Sequence, residues 1–303
     1  MANIFITGGT GALGRELIPQ LLARGHAVTV LVRCAETASQ VAPGATVVLG
    51  NPLIPGPWWD GVARADTAIN LAGEPIMARW TSEKKRRITI SRHLTTENLV
   101  SAMPSDKTFT LFSASAVGYY GDCGEAACYE SSQAGSGFLP ALAFGWEERA
   151  KKAVQTGRRV VLLRFGVMLG PGPGPLHEML KSSTRFGGGM AGRGNQYLSW
   201  IARSDAAAAI HFLLDRKDIE GPVNLSSPNP VTHRQANDIV ARLTGRTPLI
   251  SVPALAVRLA LGEFADAILT GQRMIPQKLL DAGFTWKYPL FEEAVREALG
   301  APG

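Results

Sequence analysis

The sequence predicts an α/β fold: a Rossmann-type doubly wound parallel sheet with a smaller, mostly helical C-terminal substrate domain. Three observations carry this reading. A strand, a glycine turn, a helix and a second strand follow one another within the first 32 residues, the order of a βαβ unit. Continuous apolar runs, the mark of parallel strands buried on both faces, then alternate with helical stretches as far as Leu225. After Gly170 the texture changes to Pro- and Gly-rich connections and then to helical patterns.

Asn3 to Thr7 is the first apolar strand and Ala12 to Arg24 the first helix, stopped by Gly25-His26. Ala27 to Val32 is the second strand. Further strands are expected at Thr46–Leu49, Thr67–Leu71, Thr108–Phe112, Arg159–Phe165 and Val223–Leu225, with helices over Thr81–Met103 and Leu139–Thr156. The run Pro171-Gly172-Pro173-Gly174-Pro175 is incompatible with a helix. Phe186 to Gly194 holds five glycines and reads as an ordered loop. Thr232-x-x-Gln235 has the spacing of a capping box opening a helix. These signals divide the chain into a nucleotide-binding domain, 1–170 and 199–230, and a small substrate-side domain, 171–198 and 231–303.

The chain has 303 residues, 46% hydrophobic and 18% charged. That length and apolar share allow a full core without a metal or disulfide staple. The three cysteines, Cys34, Cys123 and Cys128, have no C-x-x-C spacing, and the five histidines are scattered, so free thiols and no metal site are expected. No basic segment precedes the first strand, and Leu249 to Leu269 is interrupted by Arg258, Glu263 and Asp266. A cytoplasmic protein without a membrane partner is therefore expected. The net charge is +6, and its densest run, Lys84 to Arg87, falls in a helical segment. That run reads as a solvated helix face, and no nucleic-acid partner is expected.

The strongest chemical signal is Thr7-Gly8-Gly9-Thr10-Gly11-Ala12-Leu13-Gly14, between the first strand and the first helix. Gly8 permits a tight turn, Gly11 lets backbone N–H groups approach a pyrophosphate, and Gly14 lets helix and strand pack closely. The helix N-terminus then stabilises the anion. The second strand ends Val32-Arg33 with no carboxylate before Glu36, and Arg15 follows the last glycine. A basic strand end suits the 2′-phosphate of NADP over the free hydroxyl of NAD, so NADP is the expected cofactor.

This turn, together with Asp66-Thr67-Ala68-Ile69-Asn70-Leu71-Ala72-Gly73 and Ser113-Ala114-Ser115-Ala116-Val117-Gly118-Tyr119-Tyr120-Gly121-Asp122, resembles the extended short-chain dehydrogenase/reductase (SDR) superfamily. N-L-A-G-E-P, L-R-F-G-V-M-L-G-P and G-Q-R-M-I-P-Q-K-L-L-D-A-G-F resemble more closely its atypical, NADP-binding epimerase-family branch. The resemblance runs from Asn3 to Leu299. It implies that Leu71, Ala72 and Gly73 line the cofactor and that Ser115 is the active-site hydroxyl. It also implies that Gly166 and Val167 give backbone contacts near the nicotinamide.

Two departures shape the functional expectation. SDR enzymes use Tyr-x-x-x-Lys, and this chain has none; alignment puts Leu142 and Trp146 at those positions. Tyr119 and Tyr120 are the expected substitutes for proton transfer beside Ser115, and Glu147 and Glu148 read as a solvated helix face. Lone histidines such as His177 and His211 are not expected to be catalytic. In Asn195 to Asp205, nucleotide-sugar members place an Arg where this chain has Leu198, which cannot make forked phosphate contacts. Asp205 is expected to cap the Ala-rich helix that follows. The resulting expectation is an NADP-dependent oxidoreductase of a small carbonyl or hydroxyl substrate, with an NADP(H)-sensing protein as the alternative.

Overall fold

A computed structural model describes residues 1–185, 189–245 and 250–300. Seven strands form the central sheet: β1 (Asn3–Thr7), β2 (Ala27–Val32), β3 (Thr46–Leu49), β4 (Thr67–Asn70), β5 (Thr110–Ala116), β6 (Arg159–Phe165) and β7 (Gly221–Leu225). Their order is β7-β6-β5-β4-β1-β2-β3, and every neighbouring pair is parallel. The order reverses between β1 and β4, so a crevice opens beyond their carboxyl ends, where such sheets bind ligands. The helices are α1 (Ala12–Ala23), α2 (Trp59–Arg64), α3 (Ser82–Ser101), α4 (Phe138–Lys151), α5 (Pro175–Arg185), α6 (Arg203–Asp215) and α7 (His233–Thr244), followed by shorter ones.

Alternation along the strands builds a layer on each face of the sheet. Ile4 and Ile6 of β1 point to one side and join Leu17, Ile18 and Leu21 of α1 with Ile210 and Leu213 of α6. Phe5, between them, points to the other side and joins Trp58, Val62, Leu99, Leu111 and Leu162. A third cluster gathers Leu176, Leu198, Trp200, Val240, Phe291 and Val295 away from the sheet. Leu279, Phe284 and Trp286, late in the chain, pack into the first cluster. Among the described residues no helix is long and apolar enough to cross a membrane.

Several local expectations hold. Thr232 and Gln235 make the reciprocal capping box of α7. Thr81 caps α3 by accepting from the Lys84 N–H. The basic run is a helix face whose charges pair with acids: Lys84 and Arg87 with Glu74, Lys85 with Glu263, and Arg86 with Glu83. Phe186 to Gly188 lie outside the described residues, while Gly189–Ala191 is a strand parallel to Ile250–Val252. Asp205 departs from its expected role. It sits in the first turn of α6, and its two oxygens accept the N–H groups of Lys287 and Tyr288 at 2.8 and 3.0 Å. It anchors the late chain instead of capping the helix, and its burial raises its carboxyl against those two bonds.

His211 on α6 provides a pH-dependent term. Its Nδ1 lies 3.2 Å from Nη1 of Arg24. A guanidinium only donates, so Nδ1 accepts and the proton sits on Nε2, which has no partner among the described residues. Burial, then the Arg24 charge, push the imidazole down to about 4, and burial does the same to His233. A folded-state value below the unfolded one gives a contribution complete above pH ~6.5 and lost as pH falls from there towards 4. Stability to urea should therefore decline across that window by up to ~1.4 kcal/mol per pH unit per histidine. His211→Gln should flatten the decline; an unchanged profile would assign it to other groups.

Candidate cofactor cavity and active site

A cavity of about 1060 Å³ opens beyond the carboxyl ends of β1, β4 and β5. Gly8, Gly11, Ala12, Leu13 and Gly14 line one end of it, and Ser115, Leu142 and Trp146 are also in its wall. The turn is shaped by contacts that leave no room for a side chain. Gly8 has φ +74°, and a Cβ there would lie 2.6 Å from the Leu71 carbonyl carbon. A Cβ on Gly14 would lie 2.5 Å from the Gly9 carbonyl oxygen. Gly11 precedes α1 with no side-chain cap, so first-turn N–H groups remain for an anion.

Not every residue of the turn faces the cavity. Thr7 is buried and its hydroxyl donates to Asn70 Oδ1 at 2.7 Å, tying β1 to β4. Gly9 packs under Val30, and Thr10 is not in the wall. Arg15 and Arg33 are exposed and outside the cavity wall. Arg33 nevertheless acts on Glu74: the Lys84 ammonium first, then the charges of Arg87 and Arg33, hold that carboxyl below its ordinary range. Three cations thus share one carboxylate at this edge. Leu71 and Val167 line the cavity, whereas Ala72, Gly73 and Gly166 do not. The Gly166 N–H is committed to Leu225 O and the Val167 N–H to Ser199 O, so neither amide is free for a ligand.

Ser115 lies near the end of β5, and its hydroxyl donates to Glu147 Oε1 at 2.7 Å. Glu147 belongs to α4 and is fully buried, not on a solvated face; Glu148, its neighbour, is exposed and pairs with Lys151. The forked guanidinium of Arg164 on β6 holds both Glu147 oxygens, Nε to Oε1 at 2.7 Å and Nη2 to Oε2 at 2.8 Å. Nη1 of Arg164 donates to the Tyr120 hydroxyl at 2.9 Å, and that hydroxyl donates to Asn224 Oδ1 at 2.6 Å. Burial alone would push Arg164 down, but the fork to Glu147 and the phenol outweigh it and its pKa rises.

The tyrosines are therefore placed otherwise than the sequence implies. Neither Tyr119 nor Tyr120 is in the cavity wall. Both are buried behind it, with the Arg164 guanidinium 3.6 Å from the Tyr119 ring centre. Burial also pushes the Tyr120 phenol upward, further from serving as a base. Leu142 and Trp146 do occupy the wall. The Trp146 indole donates to the Thr96 hydroxyl at 2.8 Å, which also accepts from Asn70 Nδ2 at 2.8 Å. His177 is exposed and His211 lies outside the wall, while His233 is in it.

Sequence reasoning missed Glu147 and Arg164, although both left a signal. Arg164 interrupts the otherwise apolar strand V-V-L-L-R-F, and a charge in a buried strand requires a partner. Glu147 falls on the helix face of Ala143, Trp146 and Ala150, all buried, so its position is a core position.

A dinucleotide turn at a parallel-sheet crevice, with a hydroxyl at the end of β5, defines an NAD(P)-type SDR fold. Residues 4–226 match the NAD dependent epimerase/dehydratase family, and residues 252–298 match a domain of unknown function, DUF1731. The chain belongs to that epimerase/dehydratase family, as an atypical SDR. It is 37% identical over 307 residues to epimerase family protein Mb2239 of Mycobacterium bovis, covering 100% of both chains. It is similar to the crystal structure of human epimerase family protein SDR39U1 (isoform 2) with NADPH, at TM-score 0.81, 29% identity, and 98% and 99% coverage. A nucleoside-diphosphate sugar epimerase from Corynebacterium glutamicum is similar at TM-score 0.77 and 32% identity, over 99% of this chain and 58% of that one.

Breaking the buried pair should be costly. Glu147→Ala leaves Arg164 charged and unpaired, and should lower stability by ~3–5 kcal/mol in urea unfolding. Replacing both at once, Glu147→Leu with Arg164→Met, should recover most of that loss. A single-variant loss under about 1 kcal/mol would show that solvent reaches the guanidinium.

Proposed function

We propose that this chain is an NADP(H)-dependent oxidoreductase acting on a carbonyl or hydroxyl group of a small, largely apolar substrate. The observation that carries this reading is the single cavity that joins the α1 N-terminus to Ser115. Gly8, Gly11, Ala12, Leu13 and Gly14 would hold the diphosphate, with Leu71 beside it. The cation-rich edge of Arg33, Lys84 and Arg87 around Glu74 supports a 2′-phosphate, and Arg15 adds positive charge on α1. The relative SDR39U1 is described with NADPH. When bound, the nicotinamide would supply or accept hydride.

Ser115 is the catalytic hydroxyl in this reading. Its proton points at a carboxylate fixed by Arg164, so its oxygen meets a substrate hydroxyl as an acceptor. When a carbonyl is reduced, the hydroxyl would turn to give that proton to the alkoxide formed by hydride transfer and regain one from solvent. Glu147 and Arg164 are positioning residues, and Tyr119 and Tyr120 support them from behind. The substrate end is walled by Trp80, Phe138, Leu139 and Leu142, with Leu198 where nucleotide-sugar enzymes carry a phosphate-binding Arg. That wall favours an uncharged substrate over a nucleotide sugar. The free state of Cys34, Cys123 and Cys128 supports a reducing, cytoplasmic setting. The wall formed by Leu142 and Trp146 in place of Tyr and Lys favours a second reading, an NADP(H) sensor without turnover.

Calorimetric titration should give NADPH an affinity at least about tenfold above NADH, a difference of ~1.4 kcal/mol. Arg33→Asp should reduce or invert that preference, and equal affinities in the unmodified protein would remove NADP from the reading. A panel of small aromatic and aliphatic alcohols, aldehydes and ketones, followed by nicotinamide absorbance, tests turnover. Ser115→Ala should abolish any turnover while leaving NADPH affinity within about twofold, since only the substrate end is altered. Tight NADPH binding without turnover on any of the panel would favour the sensor.

A further inference from the structure

His233 lines the cavity and has no part in the scheme above. It opens α7, directly after the Thr232 cap. Val231 and Thr232 pair antiparallel with Leu198 and Tyr197, so the chain enters the wall at His233 next to the apolar position Leu198. Among the described residues neither nitrogen of its ring has a hydrogen-bond partner, and no charged side chain acts on it. Burial alone pushes the imidazole down to about 4, and the positive end of α7 opposes a cation there as well. At neutral pH the ring is uncharged and carries one N–H donor and one bare nitrogen. Both are turned from bulk water with nothing in the chain to complete them, a state that a hydrogen-bonding ligand relieves.

The surroundings select the kind of ligand. The first amides of α7 are spent: the His233 N–H on Gln196 O at 3.0 Å, the Arg234 N–H on Gly194 O at 2.9 Å, and the Gln235 N–H on the Thr232 hydroxyl at 3.2 Å. The helix end therefore offers no anion site. The arginine of the described wall, Arg92 on α3, lies against Gly73 and the Trp146 ring instead. Glu263 and Asp266 also line the cavity, paired with Lys85 and Arg258, so a substrate anion meets carboxylates here and a substrate cation finds them already matched. The neighbouring neutral groups are committed too. The Ser199 hydroxyl donates to Gln272 O and accepts the Met274 N–H, the Thr270 hydroxyl donates to Asp266 O, and the Gln272 amide donates to Gly121 O. The imidazole is left as a neutral donor and acceptor beside apolar wall.

We propose that His233 is a specificity-determining contact that takes a second, uncharged oxygen of the substrate, a hydroxyl or carbonyl remote from the one that reacts at Ser115. A hydroxyl completes the ring best, since it accepts from the N–H or donates to the bare nitrogen. The assignment rests on the oxidoreductase reading for the identity of the reacting oxygen, and the experiment separates the two.

The test uses the Ser115→Ala chain carrying isotope-labelled histidine, with NADPH present and again without it, so that the hydroxyl at the reacting end is gone. Toluene, benzyl alcohol, benzoate and benzylamine are titrated while the His233 ring nitrogens are followed by NMR. Benzyl alcohol should bind about threefold to tenfold more tightly than the other three, the range of one neutral hydrogen bond, and should shift the ring signals farther than toluene does. Adding His233→Leu should remove the preference for the alcohol without weakening toluene. Adding His233→Gln instead, whose amide keeps a donor and an acceptor, should retain part of it. Equal binding of toluene and benzyl alcohol, tighter binding of benzoate or benzylamine, no binding of any probe, or a preference that survives His233→Leu would overturn the assignment. Each of those results leaves the oxidoreductase reading standing, which falls instead when the unmodified chain turns over none of the carbonyl and alcohol panel.

Discussion

The buried fork between Arg164 and Glu147 is the constraint on which the site depends. It crosses from β6 to α4 and fixes the height and rotation of that helix on the sheet. From it, one arm reaches Ser115 at the end of β5, and another reaches Tyr120, Asn224 and the carbonyl oxygen of Glu130. Glu130 continues the network by accepting the N–H groups of Asn224 and Lys278, so the late chain is tied to the same cluster. Such a pair is weak evidence for stability, since desolvating two charges offsets much of their attraction. What it provides is direction: two parallel N–H···O bonds allow one orientation of the carboxylate, and that orientation determines where the Ser115 proton goes.

That direction changes how the missing Tyr-x-x-x-Lys is to be understood. In the usual arrangement an ammonium lowers a phenol's pKa so that it shuttles a proton. Here the corresponding stretch of α4 presents Leu142 and Trp146 to the cavity. The indole is held by a neutral chain running from Trp146 to Thr96, Asn70 and Thr7. Every member of that chain is buried, so it fixes the wall and carries no charge. The nearby phenols are committed elsewhere, Tyr120 by its bonds and Tyr119 by the stacked guanidinium. The Ser115 hydroxyl remains, polarised by a carboxylate behind it and not by a phenol beside it.

The sheet was legible because its signals are local. Apolar runs of three to seven residues placed all seven strands, and β1, β2, β3 and β6 match residue for residue. The turn was legible for the same reason: Gly8 and Gly14 are required by contacts within the βαβ unit and with the adjoining strand. The site interior was harder to read. The partners of Ser115 come from α4 and β6, 32 residues and more along the chain, and no short-range spacing encodes them. Asp205 was misread for a related reason. An acid at the start of a helix suggests a cap, but its acceptors were filled by backbone from residues 287 and 288. Charged residues on apolar faces carried the information: Arg92 on α3, Glu147 on α4 and Arg164 on β6 each break a core pattern.

The three differ in what completes them, and that difference separates structure from function. Arg164 and Glu147 complete one another, and each nitrogen of the Arg164 guanidinium has an acceptor within the chain. A ligand adds nothing to such a pair, so it is framework. Arg92 has only carbonyl oxygens for one nitrogen and an aromatic face for its plane. Folding alone leaves it under-satisfied at the edge of a cavity, a state that a protein selected for stability alone would replace with an apolar side chain. Because Gly73 packs against the guanidinium and Trp146 lies beside it, the charge is held in place without being neutralised. Folding thus leaves a charge held at the cavity edge, while Leu142 and Leu198 present apolar walls elsewhere in the same cavity.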